Sequence, residues 1–328
     1  MKTIKWGIIG TGIIASAFAE ALNSLDNIEV TGVASRDLAR ARGFADRFHI
    51  RKAYASYEEL ASDSEIEVVY IATPHTEHKD NAALCIKNGK AVLCEKPITI
   101  NQKETQHIID LAKEHNVFLM EAMWTKFLPT TKVVKKWLQS NAIGNIRCIK
   151  ADFGYRSEYD LNHRLFNPKL AGGALLDVGI YPITYTIHMM ERLPDEIISR
   201  AVMGKSHVDD INTIIFSYQG GVIAQLSSSV AVEMGRDAVI LGDKGKIVIP
   251  NFWMADHAKR YDIKGNLVEE FSEPFAVNGY VYEVQEVNSC LREGKKESTV
   301  VPLKDTMDIM KIMDELRTEW GLIYPQEQ

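Results

Sequence analysis

The segment Gly10-Thr11-Gly12-Ile13-Ile14-Ala15 narrows the fold of this chain more than any other. It follows the apolar run Ile4 to Ile9, and apolar positions at helical spacing continue from Ile13 to about Leu25. The pattern G-x-G-x-x-G/A has a physical reading. The first glycine permits a tight turn, and the second lets a pyrophosphate approach the backbone. The small third residue lets the helix pack closely on its strand. An isolated match is often an ordinary glycine-rich turn, but a strand before it and a helix after it supply the context of a dinucleotide-binding βαβ unit. Gly10, Thr11, Gly12, Ile13 and Ile14 are therefore candidate phosphate-binding residues at a helix N-terminus.

The alternation continues. Ile28 to Ala34, Glu67 to Ala72, Ala91 to Cys94 and Val117 to Met120 read as buried strands. Ala39 to Phe48, Tyr57 to Ala61, Lys79 to Asn88 and Thr105 to His115 read as helices. Alternation of this kind predicts a doubly wound parallel sheet over residues 1–121. Beyond Ala122 the pattern changes to strands at Ile146 to Tyr155, Ile197 to Met203, Thr213 to Tyr218, Val222 to Val230, Ala238 to Leu241 and Ile247 to Ile249. Gln219-Gly220-Gly221 and Asp243-Lys244-Gly245 read as hairpin turns. Residues 122–328 are thus expected to form an α+β domain with a large, open, mostly antiparallel sheet. A helix from Leu175 to about Glu191 would cover one face, and helices from Tyr282 to Arg292 and Asp305 to Trp320 would close the chain, the last packing back on the first domain. The fold class is α/β.

Composition excludes several function classes. With 328 residues, 46% hydrophobic, 25% charged and a net charge of -6, the chain has material for a large core and no basic tract that would follow a phosphate backbone. Nucleic acid is an unexpected partner. No apolar stretch reads as a signal or a membrane span, so the cytoplasm is the expected location. Cys85, Cys94, Cys148 and Cys290 are scattered, which predicts neither a disulfide framework nor a zinc site.

The ends of the strands carry the chemistry. After the second strand come Ala34-Ser35-Arg36, where an NAD site would place an acid for the ribose hydroxyl. A hydroxyl on Ser35 and guanidinium groups on Arg36 and Arg40 suit a 2′-phosphate, so NADP(H) is favoured over NAD(H). The other reading gives Asp37 the acidic role, although its place past the strand fits a helix cap better. Thr73, Pro74 and His78 follow the third strand and are candidates to flank the nicotinamide ribose; the His75 and His78 pair has no third ligand in view, so no metal is expected. Glu95-Lys96-Pro97 ends the next strand. Lys96 there is either a surface cation paired with Glu95 or a positioned group for a substrate oxygen.

A second cluster runs from Asn167 to Tyr181. Its glycines precede a helix on which Asp177 and Tyr181, four apart, would share a face. A carboxylate beside a phenol suits polyol binding and proton transfer, or is a buried hydrogen bond that only stabilises the helix start.

Taken together, Gly10 to Ala15, Thr73-Pro74, Glu95-Lys96-Pro97 and Gly172 to Tyr181 resemble the glucose-fructose oxidoreductase / inositol dehydrogenase / MocA family over almost the whole chain. Glu121 to Phe127, Arg164-Leu165-Phe166 and Tyr181 resemble its branch of dimeric dihydrodiol dehydrogenases and NADP-dependent sugar dehydrogenases. Inositol dehydrogenase-like members carry histidine where Tyr181 stands, which argues against an inositol substrate.

The resemblance implies a cis Lys96-Pro97 bond and a homodimer or homotetramer through the C-terminal sheet. It also implies a hydride transfer between nicotinamide and a secondary alcohol or carbonyl of a sugar or trans-diol. In this scheme Tyr181 is the acid/base and Lys96 holds the oxygen and lowers the tyrosine pKa, although these coupled groups could exchange roles. Asp177 orients the substrate hydroxyl or Lys96. Trp124 and Phe153 are walls for substrate and nicotinamide, Trp124 having the plainer reading of a core aromatic. Arg164 contacts the cofactor or a substrate hydroxyl, and Glu95 and Lys96 border the cofactor. Two rival functions remain: a sensor that binds NADP without turnover, and nicotinamide-assisted glycoside hydrolysis.

Overall fold

The computed structural model describes residues 2–328, which form two compact units. The first comprises the chain through Trp124 together with Ala276–Met310; the second comprises Thr125–Phe275 and Lys311–Gln328.

In the first unit the chain runs β1 (Ile4–Ile9), α1 (Ile13–Asn23), β2 (Ile28–Ala34), α2 (Leu38–Phe48), β3 (Lys52–Tyr54), α3 (Tyr57–Ser62), β4 (Val68–Ile71), α4 (His78–Lys87), β5 (Ala91–Glu95), α5 (Gln102–Glu114) and β6 (Leu119–Ala122). The strands form one parallel six-stranded sheet in the order β3-β2-β1-β4-β5-β6. Helices on both faces explain why β4 and β5 are apolar runs rather than alternating ones: Val68 to Ile71 and Ala91 to Cys94 are all buried. Strand β3 was not expected, because its three half-buried residues at the sheet edge carry no apolar run. Helix starts follow their caps. Asn101 accepts from Glu104 N at 2.9 Å, which begins α5 three residues ahead of the expected Thr105.

The order reverses between β1 and β4, whose carboxyl ends lie side by side through Ala72 N donating to Ile9 O at 2.8 Å. In an open α/β sheet this is where ligands bind.

In the second unit come α6 (Pro129–Gln139), β7 (Ile146–Gly154), α7 (Ile180–Met190), β8 (Glu196–Met203), β9 (Asp209–Tyr218), β10 (Val222–Ser229), β11 (Ala238–Gly242), β12 (Gly245–Ile249), β13 (His257–Asp262) and β14 (Leu267–Ser272). They build an eight-stranded sheet, β14-β13-β12-β11-β7-β10-β9-β8, in which only β7 and β10 pair in parallel. Both expected hairpin turns form, with Gly220 and Gly221 at positive φ. Helix α6 and strands β13 and β14 had no clear sequence signal. The β-branched residues in α6 oppose helix propensity, and the last two strands are rich in charge, β13 half-buried and β14 exposed.

The expected single helix from Leu175 is divided: Leu175–Gly179 is a π-turn, and only then does α7 begin. The stretch Pro168–Met190 is long and apolar enough by composition to cross a membrane, contrary to the expectation above, and 89% of that apolar window is buried as core. Helix α7 packs on β7 and β10. Ile198, Val202 and Ile223 on β8 and β10 are 45–59% exposed.

Two late helices complete the account. Helix α8 (Tyr280–Arg292) belongs to the first unit, where Asn278 donates to Ala17 O at 2.9 Å and Trp6 donates to Asn288 at 3.2 Å. The boundary between units falls within α9 (Leu303–Trp320). Its first turn is tied to the parallel sheet by Glu121, a buried carboxylate on β6 that accepts from Ile98 N and from the Thr306 hydroxyl, each at 3.0 Å. Glu121→Ala leaves both donors buried, a cost of about 1–3 kcal/mol. Its melting temperature is expected to drop by several degrees in a thermal-shift measurement; an unchanged value contradicts this reading.

Candidate active site

The first unit presents a dinucleotide cradle. Gly10 takes φ +108°, and a Cβ there would lie 2.6 Å from Ala72 O, so only glycine allows this turn. At Gly12 a Cβ would meet nothing within 4 Å: the space over the backbone is open. Gly12 is the N-cap of α1 and provides no side-chain cap, no acid stands in the first turn, and Ile13 is 87% exposed. A helix N-terminus with its first N–H groups uncapped and an open approach fits a pyrophosphate. A nicotinamide dinucleotide therefore suits the residues present.

At the end of β2, Asp37 acts as the N-cap of α2, accepting from Ala39 N at 2.8 Å and Arg40 N at 3.4 Å. Ser35 is buried, and Arg36 and Arg40 are exposed. Burial raises the pKa of Tyr57, and the positive charges of Arg36 and Arg40 both act against that rise.

The loops after β4 and β5 are stapled together by His78, which is fully buried. Its Nδ1 lies 2.8 Å from Pro97 O and its Nε2 2.8 Å from Thr73 O. Burial lowers its pKa, the two carbonyls oppose this, and the Lys96 charge lowers it again. Each ring nitrogen thus faces a carbonyl oxygen, and the ring ties the two loops together. Asn81, which the sequence did not single out, donates to the Thr73 hydroxyl at 3.1 Å. The Glu95 carboxylate accepts from the Tyr70 hydroxyl and, at 3.2 Å, from the Lys96 N–H. The Lys96-Pro97 bond is cis. Trp124 is buried and stacks on Tyr280, with centroids 4.5 Å apart and planes at 9°.

The second unit holds a carboxylate and an aromatic cluster. Asp177, on the π-turn, is buried; it accepts from the Tyr155 hydroxyl at 2.6 Å and pairs with Arg164 Nη1 at 2.6 Å. Burial first, and then Asp177, drive the Tyr155 phenol well above its ordinary pKa. Arg164, expected at cofactor or substrate, is seen here as the partner of Asp177. Tyr181, Phe153 and Trp253 form a cluster: Phe153 stacks on Trp253 at 4.9 Å, and Tyr181 lies 5.4 Å from Phe153 and 5.9 Å from Trp253.

Sequence reading missed Trp253 and the Tyr155 hydroxyl. Trp253 lies in a one-turn helix, Phe252–Met254, after Asn251 at positive φ, where neither helical nor strand periodicity could flag it. Among the described residues, no group of three or more His, Cys, Asp or Glu side chains is placed to hold a metal ion.

Comparison with known proteins decides the family. Residues 4–123 match the model described as "Oxidoreductase family, NAD-binding Rossmann fold", and residues 131–248 match "GFO/IDH/MocA C-terminal domain". The chain belongs to the GFO/IDH/MocA oxidoreductase family. It is 38% identical to trans-1,2-dihydrobenzene-1,2-diol dehydrogenase of Mus musculus and 37% identical to that of Homo sapiens, each alignment covering 99% of both chains. Among solved structures, the 3-ketoreductase KijD10 of Actinomadura kijaniata with NADP and TDP-benzene superposes with a TM-score of 0.87 at 23% identity over 97% of this chain and 98% of that one. Levoglucosan dehydrogenase with NADH and levoglucosan gives 0.86 at 19% identity over 98% of each. These two share the fold and differ in cofactor.

The geometry yields two expectations. Gly12→Val fills the open approach over α1 and is expected to fold with an unchanged melting temperature while losing at least ~10-fold in nucleotide affinity by titration calorimetry, the loss of a close phosphate contact. Trp253→Ala removes a stacked wall and is expected to raise substrate KM by roughly 10-fold, with cofactor affinity unaltered; steady-state kinetics would contradict it if KM stayed fixed.

Proposed function

We propose that this chain is an NADP(H)-dependent dehydrogenase that interconverts a secondary alcohol and a carbonyl on a sugar or a trans-diol. The observation that carries this reading is the pairing of the buried Asp177 carboxylate with Tyr155 and Arg164, one turn ahead of a phenol set among Phe153 and Trp253. Aromatic faces receive the apolar side of a small ring, and a fixed carboxylate orients its hydroxyl groups. The curated relatives named as dihydrodiol dehydrogenases support the substrate class.

Bound nicotinamide supplies the hydride acceptor in oxidation and the donor in reduction. In oxidation the alcohol C–H bond gives up a hydride as its O–H gives up a proton, and a carbonyl remains. Tyr181 takes that proton and returns it in the reverse direction. Lys96 holds the reacting oxygen, and its charge favours the phenolate form of Tyr181. Glu95 fixes the backbone of Lys96, and His78 fixes the carbonyls on either side of it in the fold of the first unit. Asp177 orients the substrate hydroxyl, itself aimed by Tyr155 and Arg164. Arg36 and Arg40, with Ser35, select the 2′-phosphate; the cap that Asp37 Oδ1 makes at the start of α2 supports giving Asp37 a structural rather than a ribose-binding role. The exposed face of β8 and β10 is the surface through which a homodimer or homotetramer would form.

Two measurements test the reading. Tyr181→Phe is expected to lower kcat by ~10²–10⁴-fold, the usual worth of a positioned acid/base, in an assay following NADPH absorbance over a panel of sugars and diols. Near-native turnover of that variant beside an inactive Lys96→Met would transfer the role to Lys96. Wild-type protein is expected to bind NADPH more tightly than NADH, and Arg36→Ala to reduce that preference by ~10–100-fold, the value of one charge-assisted phosphate contact. Tighter binding of NADH by the wild type contradicts the cofactor assignment.

A further inference from the structure

A carboxylate outside the cluster just described lies beneath the π-turn. Asp209, at the start of β9, is 0% exposed. Its Oδ2 accepts from Leu175 N and from Asn212 Nδ2, each at 2.8 Å. Asn212 in turn accepts from the Ser228 hydroxyl at 2.9 Å, and that same hydroxyl oxygen sits 2.8 Å from where a Cβ on Gly179 would be. The network thus reaches both ends of the turn, Leu175 and Gly179. On the other side, Gly173 at φ +113° lies so close to Asp209 Oδ1 that an added Cβ would be 2.2 Å from it. The loop is shaped around this carboxylate.

We propose that Asp209 is a positioning residue for the reaction: its buried carboxylate, through its charge as well as its hydrogen bonds, holds the π-turn that aims Asp177 and leads into Tyr181. The inference rests on the functional reading above.

The energetics argue that Asp209 is there for more than stability. Asp209 Oδ1 has no hydrogen-bond partner, and among the described residues the carboxylate has no ion-pair partner. Burial raises its pKa from 3.8 to about 7; the bonds from Asn212 and Leu175 oppose this, and Asp210 beside it adds to it. The other charged or titratable groups facing it are Tyr324, whose hydroxyl donates to Gly172 O at 2.7 Å, and behind that ring Arg317, 4.9 Å from its centroid. A carboxyl whose folded pKa lies above its unfolded value costs stability. The cost is absent below the unfolded value, grows as pH rises between the two, and is complete above about 7. Above neutral pH an uncharged isostere would therefore give the more stable fold. A side chain that lowers stability while gripping the turn under Asp177 points to a role in what that turn does.

Asp209→Asn separates charge from hydrogen bonding, because an amide oxygen can still accept from Leu175 and Asn212. At pH 8 the variant is expected to melt at or above the wild-type temperature, with the difference shrinking toward pH 4. Its kcat is expected to fall ~10–100-fold, the cost of a small misplacement of catalytic groups, while substrate KM and NADPH affinity stay within about twofold. Unchanged kcat overturns the proposal, as does a lowered melting temperature at pH 8, which would make the residue merely structural. Should Asp209→Asn prove insoluble, Ser228→Ala loosens the far end of the network; a several-fold lower kcat at constant KM supports the proposal and an unchanged kcat overturns it. The wild type runs alongside: no turnover on any substrate there defeats the functional reading itself, a result distinct from an active wild type beside an equally active variant.

Discussion

The parallel pairing of β1 with β4 is the constraint on which the first unit depends. Once Ala72 N bonds to Ile9 O, the chain leaving β1 must turn beneath a carbonyl that excludes any side chain at Gly10. That turn sets where α1 begins, and the uncapped end of α1 determines where an anion is welcome. The loops after β4 and β5 emerge at the same edge, and one buried imidazole holds them in register. Backbone geometry, more than any charged side chain, prepares this half of the molecule for its ligand.

This half was legible in the sequence because its signals are local. A strand buried on both faces has to be an apolar run, and a glycine turn has to be glycine, so β1, β2, β4 and β5 and the loop Gly10 to Ala15 could be read directly. Asp37 as a cap was likewise legible, since a carboxylate two residues ahead of a helical stretch has an obvious task. The failures came where the deciding partner is distant. Strand β3 exists because β2 offers it an edge; the early start of α5, by contrast, rests on a local cap, Asn101 accepting from Glu104 N three residues on.

The second unit was less legible for the same reason. Tyr181, Asp177, Phe153 and Arg164 could be named, yet their setting could not, because Tyr155 and Arg164 meet Asp177 across 22 and 13 residues of sequence and Trp253 comes from a one-turn helix without periodicity. Arg164 could be named as a candidate ligand contact, but its pairing with Asp177 could not be foreseen. The division of one expected helix into a π-turn and α7 has no signature in the apolar pattern. Groups on β9 and β10 meet the turn at both ends, Asp209 accepting from Leu175 N and the Ser228 hydroxyl lying close to Gly179. π-Turns of this kind recur at functional sites, where an extra residue re-aims a side chain.

The bond from the Tyr324 hydroxyl to Gly172 O has a consequence in time. Its two ends are 152 residues apart in sequence. During synthesis at about 5–20 residues per second, the loop that precedes the π-turn waits roughly 8–30 s for the residue that pins it. The first unit waits as well, since Ala276–Met310, which carries α8 and the start of α9, is made only shortly before Tyr324. On the ribosome, both units are therefore closed by the same late stretch of chain, at the end of synthesis.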